Sequence, residues 1–123
     1  MLQGTNLNDF SPVAEVTELQ IIDTKEGNGE VVQPGATVTA HYTGAVAATG
    51  VIFQSSHDFG RAIPFGLNQV IKGWTDGVPG MKVGGTRRLI IPAEQAYGAT
   101  PPPGSGIPAN AALVFDIELV AVS

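Results

Sequence analysis

The chain has 123 residues, 43% of them hydrophobic, and a formal net charge of −5. That length suits one ordinary domain with a real core, and the acidic balance gives electrostatics of the wrong sign for nucleic acid or an anionic membrane. The absence of cysteine excludes disulfides, thiolate nucleophiles and cysteine-based zinc sites.

Residues 1–16 carry no periodicity and read as a loosely ordered N-terminal arm, with Leu2, Leu7 and Phe10 available to lie against a domain spanning residues 17–123. The opening "MLQGTNLNDFSPV" has neither the charged nor the apolar region of a signal peptide. No run approaches the roughly 20 apolar residues of a membrane span. The expected compartment is therefore cytoplasmic by default, and an upstream signal or anchor absent from this chain would place it outside the cytoplasm.

"VTELQIIDTKEG" reads as an edge or meander strand closed by the turn signal Gly27-Asn28-Gly29. In "VVQPGATVTAHYTGAV", Val38, Ala40 and Tyr42 share one face, and Thr37, Thr39, His41 and Thr43 share the other. Tyr42 should point inward. "VIFQSS" is a short strand, followed by the polar loop "HDFGRA" and a further short run, "IPFGL".

Residues 68–85, "NQVIKGWTDGVPGMKVGG", pose a conflict. Val70, Ile71, Trp74, Val78 and Met81 recur at roughly helical spacing, yet Gly73, Gly77, Pro79 and Gly80 resist helix formation. The pattern predicts about two turns from Ile71 to Val78, held by tertiary packing, with Gly73 and Gly77 letting the backbone approach a sheet closely. "TRRLIIP" follows as a strand, and Ala93 to Ala111 form a long loop. A loop of that length is usually functional or disordered. In "ALVFDIELVAV", Leu113, Phe115, Ile117 and Leu119 alternate with Val114, Asp116, Glu118 and Val120, which implies an antiparallel sheet with one buried and one wet face. The architecture is α+β: about five antiparallel strands around one short α-helix.

Several chemistries fail on spacing. "GMKVGGT" lacks the lysine of a phosphate-binding loop. Ser55, Ser56, His57 and Asp58 hold the ingredients of a catalytic triad, but neighbours in a strand-to-loop segment point apart. His41 and His57 show no metal-ligand spacing, and Lys82, Arg87 and Arg88 read as a solvated strand face. What remains is aromatic: Tyr42, Phe53, Phe65, Trp74, Tyr97 and Phe115. Any one of them fits a core position. As a set drawn from separate elements, with Tyr97 on the long loop, they suit an apolar pocket.

"VTAHYTGAV", "GVIFQSS", "NQVIKGW", "GMKVGG", "AYGA", "GIP" and "LVFDIEL" stand in the order and spacing of the FK506-binding-protein (FKBP) family, peptidyl-prolyl cis-trans isomerases. The resemblance covers about residues 17–122. It implies a curved antiparallel sheet half-wrapped around the helix, with Trp74 as the floor of a pocket between the two. It also implies catalytic roles for Tyr97, Ile71, Trp74, Phe53 and Tyr42, and substrate contacts from Val70, Phe115, Ile107, Gln54 and Phe65. In this reading the Ile71 N–H and the Tyr97 hydroxyl donate to substrate carbonyls, and no cofactor or metal takes part. Expected partners are proline-containing peptides, unfolded protein clients and FK506- or rapamycin-like macrolides, the protein acting as a monomer that assists folding.

Three positions depart from the family's common pattern. Gln54 replaces a frequent aspartate, which weakens the case for macrolide binding. Ala62 or Ile63 replaces an aromatic, and "IPAN" replaces a double proline. An amide at 54 could still accept from the Tyr42 hydroxyl. The rival readings are a non-catalytic module that binds proline motifs in the same groove, and a holdase, which the lack of a large inserted flap disfavours.

Overall fold

The computed structural model describes residues 2–7, 9–13 and 15–122. Six strands form one antiparallel sheet: β1 (Gln20–Lys25), β2 (Thr37–Val46), β3 (Ile52–Ser55), β4 (Ile63–Gly66), β5 (Thr86–Ile91) and β6 (Leu113–Val122). The order is β1-β5-β6-β2-β3, and β4 also pairs with β2. β2 is the organising strand. One edge takes β6 along almost its whole length, while the other takes β4 opposite Thr37 to Ala40 and then β3 opposite Thr43 to Ala45. The sequence suggests about five strands; the sixth is the four-residue run containing Phe65.

The single helix, α1 (Lys72–Gly77), lies on one face of the sheet, close to the span its periodicity predicts. No side chain caps its start, and at six residues it is too short to persist alone. Packing holds it instead. Trp74 and Val78 join Val38, Ala40, Tyr42, Leu89, Ile91, Phe115, Ile117 and Leu119 in the main core. Gly73 and Gly77 face β5 so closely that a Cβ on Gly73 would sit 2.6 Å from Ile91 Cδ1, and one on Gly77 would sit 2.8 Å from a Leu89 methyl. The helix-resisting glycines are thus the condition for seating this helix on this sheet.

Arg87 corrects the solvated-face reading. Strand alternation puts it on the same side as Leu89 and Ile91, and it is 8% exposed. Its guanidinium donates to the carbonyls of Gly77 (2.8 Å) and Pro79 (3.2 Å) at the end of α1, and pairs with Asp23 of β1 at 2.6 Å. A cation there satisfies carbonyls that the helix leaves without partners.

The opposite face of the sheet is not simply wet. Ala45, Ala47, Ile52, Ile90 and Val114 form a second apolar cluster with Leu7 of the arm, and Phe10 and Val16 pack against it. Although its sequence suggests looseness, the arm is tied down by backbone bonds to the free edge of β3 and the turn before it. Gly4 N–H donates to Ile52 O, Ile52 N–H to Thr5 O and Leu7 N–H to Gly50 O, each at 2.8 Å. Backbone pairing of this kind leaves no side-chain period to read. Arg88, whose guanidinium bonds Asp116 across the strands, also donates to Asp9 O at 2.7 Å and lies over the Phe10 ring.

Gly73→Ala is expected to destabilise the fold by about 1–3 kcal/mol, because Ile91 must leave its rotamer to admit the methyl group. Urea unfolding followed by Trp74 fluorescence measures this; an unchanged midpoint would refute the close-approach account.

Candidate active site

Between α1 and the inward face of the sheet lies a cavity of about 500 Å³. Nine of the ten site residues expected from the sequence line it: Tyr42 from β2, Phe53 and Gln54 from β3, Phe65 from β4, Val70, Ile71 and Trp74 from the start of α1, Tyr97 from the long loop and Phe115 from β6. The tenth, Ile107, lines an adjoining groove. Gln69, which the sequence reading does not single out, completes the lining.

Trp74 sits at the centre of the aromatic set and is 3% exposed. Phe65, Phe115 and Tyr42 meet it at centroid distances of 4.8, 5.4 and 5.8 Å, all in edge-to-face or near edge-to-face geometry. Such contacts fix ring planes as well as burying area. Phe53 stands perpendicular to Phe115 at 5.8 Å. That pair depends on Gly44 of β2, where a Cβ would lie 2.6 Å from Phe53 Cζ and 2.7 Å from Phe115 Cε1. The sequence carries a signal for this: Gly44 interrupts the inward series of Val38, Ala40, Tyr42 and Val46.

Polar groups in the cavity are few. The Ile71 N–H, just ahead of α1, has no acceptor among the described residues, while the Ile71 carbonyl accepts from Trp74 and Thr75 N–H groups. The Tyr97 hydroxyl likewise has no partner among them, and the ring stands 36% exposed at the cavity rim. Burial, and secondarily the charge of a nearby ionised Tyr97, raises the Tyr42 phenol above its ordinary pKa, so it stays protonated further into the alkaline range. The bond envisaged between the Tyr42 hydroxyl and Gln54 is not formed, and Gln54 is exposed at the edge of the cavity. Trp74 Nε1 is buried with no acceptor among the described residues.

The triad ingredients disperse as expected. Ser56 Oγ accepts from Tyr42 N–H at 2.8 Å and bonds His41 Nδ1 at 2.9 Å, while His57 stacks on the His41 ring at 4.3 Å. His41 occupies the face of β2 opposite Tyr42, outside the cavity. Among the described residues no group of three or more His, Cys, Asp or Glu side chains could hold a metal ion.

A family model described as FKBP-type peptidyl-prolyl cis-trans isomerase matches residues 28–120. The chain belongs to that family. It is 46% identical over 116 residues to an FK506-binding protein of Streptomyces anulatus, covering 93% of this chain and 94% of the relative. That share of this chain is more than residues 17–123 alone supply, so the likeness reaches into the arm. It is 50% identical over 91 residues to peptidyl-prolyl cis-trans isomerase FPR2 of Saccharomyces cerevisiae, covering 72% of this chain and 67% of the relative. Among solved structures, FkpA from Escherichia coli superposes with a TM-score of 0.77 at 40% identity, over 85% of this chain and 48% of FkpA. This FKBP is accordingly a peptidyl-prolyl isomerase with a curved sheet wrapped on one short helix.

The cavity of this isomerase is lined without a carboxylate, imidazole or amine. Its kcat/KM is therefore expected to stay flat between about pH 5.5 and about pH 8.5, because rotation there draws on no carboxylate, imidazole or amine. A pH series of isomerisation rates on one proline peptide checks this; a sigmoid centred near neutrality would implicate His41 or His57.

Proposed function

We propose that this isomerase acts on Xaa-Pro bonds in unfolded or flexible protein chains, by an apolar aromatic cavity with no covalent step, and that it works as a monomer in assisting folding. The observation that carries the mechanism is an apolar aromatic box in which donors stand without acceptors among the described residues, the Ile71 N–H and the Tyr97 hydroxyl at its rim foremost.

Amide resonance gives the prolyl C–N bond double-bond character and a rotational barrier of about 18–20 kcal/mol. Twisting the bond by about 90° removes that resonance and leaves a less polar amide. An apolar cavity therefore favours the twisted state over the planar one, which loses more on leaving water. Trp74 supplies a flat apolar seat for the proline ring, and the rings around it hold that seat at a fixed tilt. The two donors hold the flanking carbonyls in a turn that matches the twisted peptide, so orientation is provided before rotation begins. Uncatalysed isomerisation takes tens to hundreds of seconds and can limit folding, which gives such a catalyst its role.

Monomeric action is supported by the covering of the central strands on both faces from within one chain, by α1 on one side and by Leu7, Phe10 and Val16 on the other. The rim around Phe53 and the loop from Tyr97 to Ile107 favours an apolar residue before the proline. FK506- and rapamycin-like macrolides fit the apolar part of the cavity, with affinity reduced by the neutral, exposed Gln54.

Tyr97→Phe is expected to lower kcat/KM about fivefold, the worth of roughly one hydrogen bond. Two-dimensional exchange NMR on a short proline peptide reads this without a coupling protease; binding at an uncatalysed exchange rate in the unaltered protein would reduce it to a proline-motif binder. Gln54→Asp is expected to tighten FK506 binding about tenfold through a charge-assisted hydrogen bond, as measured by calorimetry.

A further inference from the structure

The 3-10 turn Ser56–Phe59 joins the active site to the N-terminal arm. Ser55 and Ser56 are almost wholly buried, and their hydroxyls bond the Tyr42 backbone and the Thr43 side chain, which locks the turn to β2 beside the cavity. From that anchored platform Asp58 reaches outward, and its two carboxylate oxygens accept from Leu2 N–H at 2.7 Å and Gln3 N–H at 3.0 Å. These bonds hold the Asp58 carboxyl below the usual aspartate range. The arm then folds back through Thr5 N–H to Leu2 O and runs on along β3.

The clamp has a geometric result. A groove of about 540 Å³ continues from the active-site cavity, sharing Phe53, Gln54 and Tyr97 with it. Its lining includes Pro102 and Pro103 of the long loop, Phe59 and Gln3 of the clamped arm, with Ser55, Asp58 and Ser105 adding polar groups. Phe59 is 56% exposed, a large ring that the core does not use. Gln3 also borders a further hollow beside Val51 and Pro108, so the arm extends the trough beyond the groove itself.

We propose that the Asp58-clamped arm and Phe59 form an extended substrate subsite, which takes a large apolar or aromatic side chain of the same polypeptide a few residues from the isomerised proline. The inference rests on the isomerase reading of the cavity, since the occupant is the flanking part of the chain whose proline sits on Trp74. Continuity of the groove with that cavity identifies the occupant. An isolated small molecule has no reason to span both, whereas an extended peptide leaving the proline seat past Phe53 and Tyr97 must run into the groove. The apolar surfaces of Phe59 and the two prolines set the side-chain class. Asp58 is a positioning residue here, because its carboxylate is engaged by the arm.

The test compares an Ala-Pro tetrapeptide with two decapeptides carrying the same centre and a single Phe three residues before or after the proline, using the full chain and exchange NMR. At least one decapeptide should show a kcat/KM about tenfold above the tetrapeptide, with the gain in KM, the size of effect that filling one apolar subsite provides. Phe59→Ala, an exposed substitution that leaves the core alone, should bring the ratio of long to short peptide toward one, as should Asp58→Ala. Asp58→Glu should restore part of it. Equal rates on all three peptides in the unaltered protein overturn the subsite, as does a ratio that survives Phe59→Ala. Shifts at Gln3 and Phe59 on binding a decapeptide, without enhanced exchange, would support the groove while refuting the isomerase reading.

Discussion

The contact between α1 and β5 is the constraint on which the site depends. A helix of six residues has little stability of its own, and it approaches the sheet closely only because Gly73 and Gly77 present no side chain to Ile91 and Leu89. That approach sets the height of Trp74 above β2 and β6, and so the depth of the cavity floor. Arg87 closes the arrangement from below by binding the last carbonyls of the helix while paired with Asp23 on a third element. One buried cation thus joins the end of the helix to the edge of the sheet, and the aromatic rings then have a rigid frame to tilt against.

Around that frame, polarity is placed sparingly. The inward faces of β2, β5 and β6 contribute almost only apolar side chains, and the rings of Tyr42, Phe65 and Phe115 surround Trp74 in edge-to-face contacts. The hydroxyls that the sequence concentrates at Thr43, Ser55 and Ser56 serve the backbone of the neighbouring strands instead of the cavity. Rotation about a peptide bond asks for no proton transfer, and the distribution of groups agrees: carboxylates, imidazoles and amines stand outside, and the cavity is lined by rings, two aliphatic side chains and neutral donors.

Most of the site was legible because it rests on period-two alternation and one helical stripe. Tyr42 and Phe115 are inward by strand parity, and the glycine-rich stretch around Trp74 makes sense only as a closely seated helix. Arg87 was misread because a basic pair on a strand suggests solvent, although the same parity places it with Leu89 and Ile91 once a helix end is known to lie above it. The gap that Gly44 leaves for Phe53 and Phe115 shows only as a break in an apolar series. The arm was illegible for a different reason. Its attachment runs through main-chain groups and through Asp58, a residue some fifty positions away, and neither leaves a local pattern.

The arm also bears on how the sheet is protected at one of its edges. An unpaired strand edge invites another extended chain to add itself, and unfolded polypeptides are rich in extended segments. Here the start of β3, at Ile52, and the turn before it are already paired with residues 4–7 of the same chain, so an extended chain finds those N–H and C=O groups taken. The outer edges of β1 and β4 have no strand partner among the described residues, and on β1 Asp23 and Lys25 place charge along the strand. Self-pairing at this point keeps the start of β3 from serving as a template for a shared sheet.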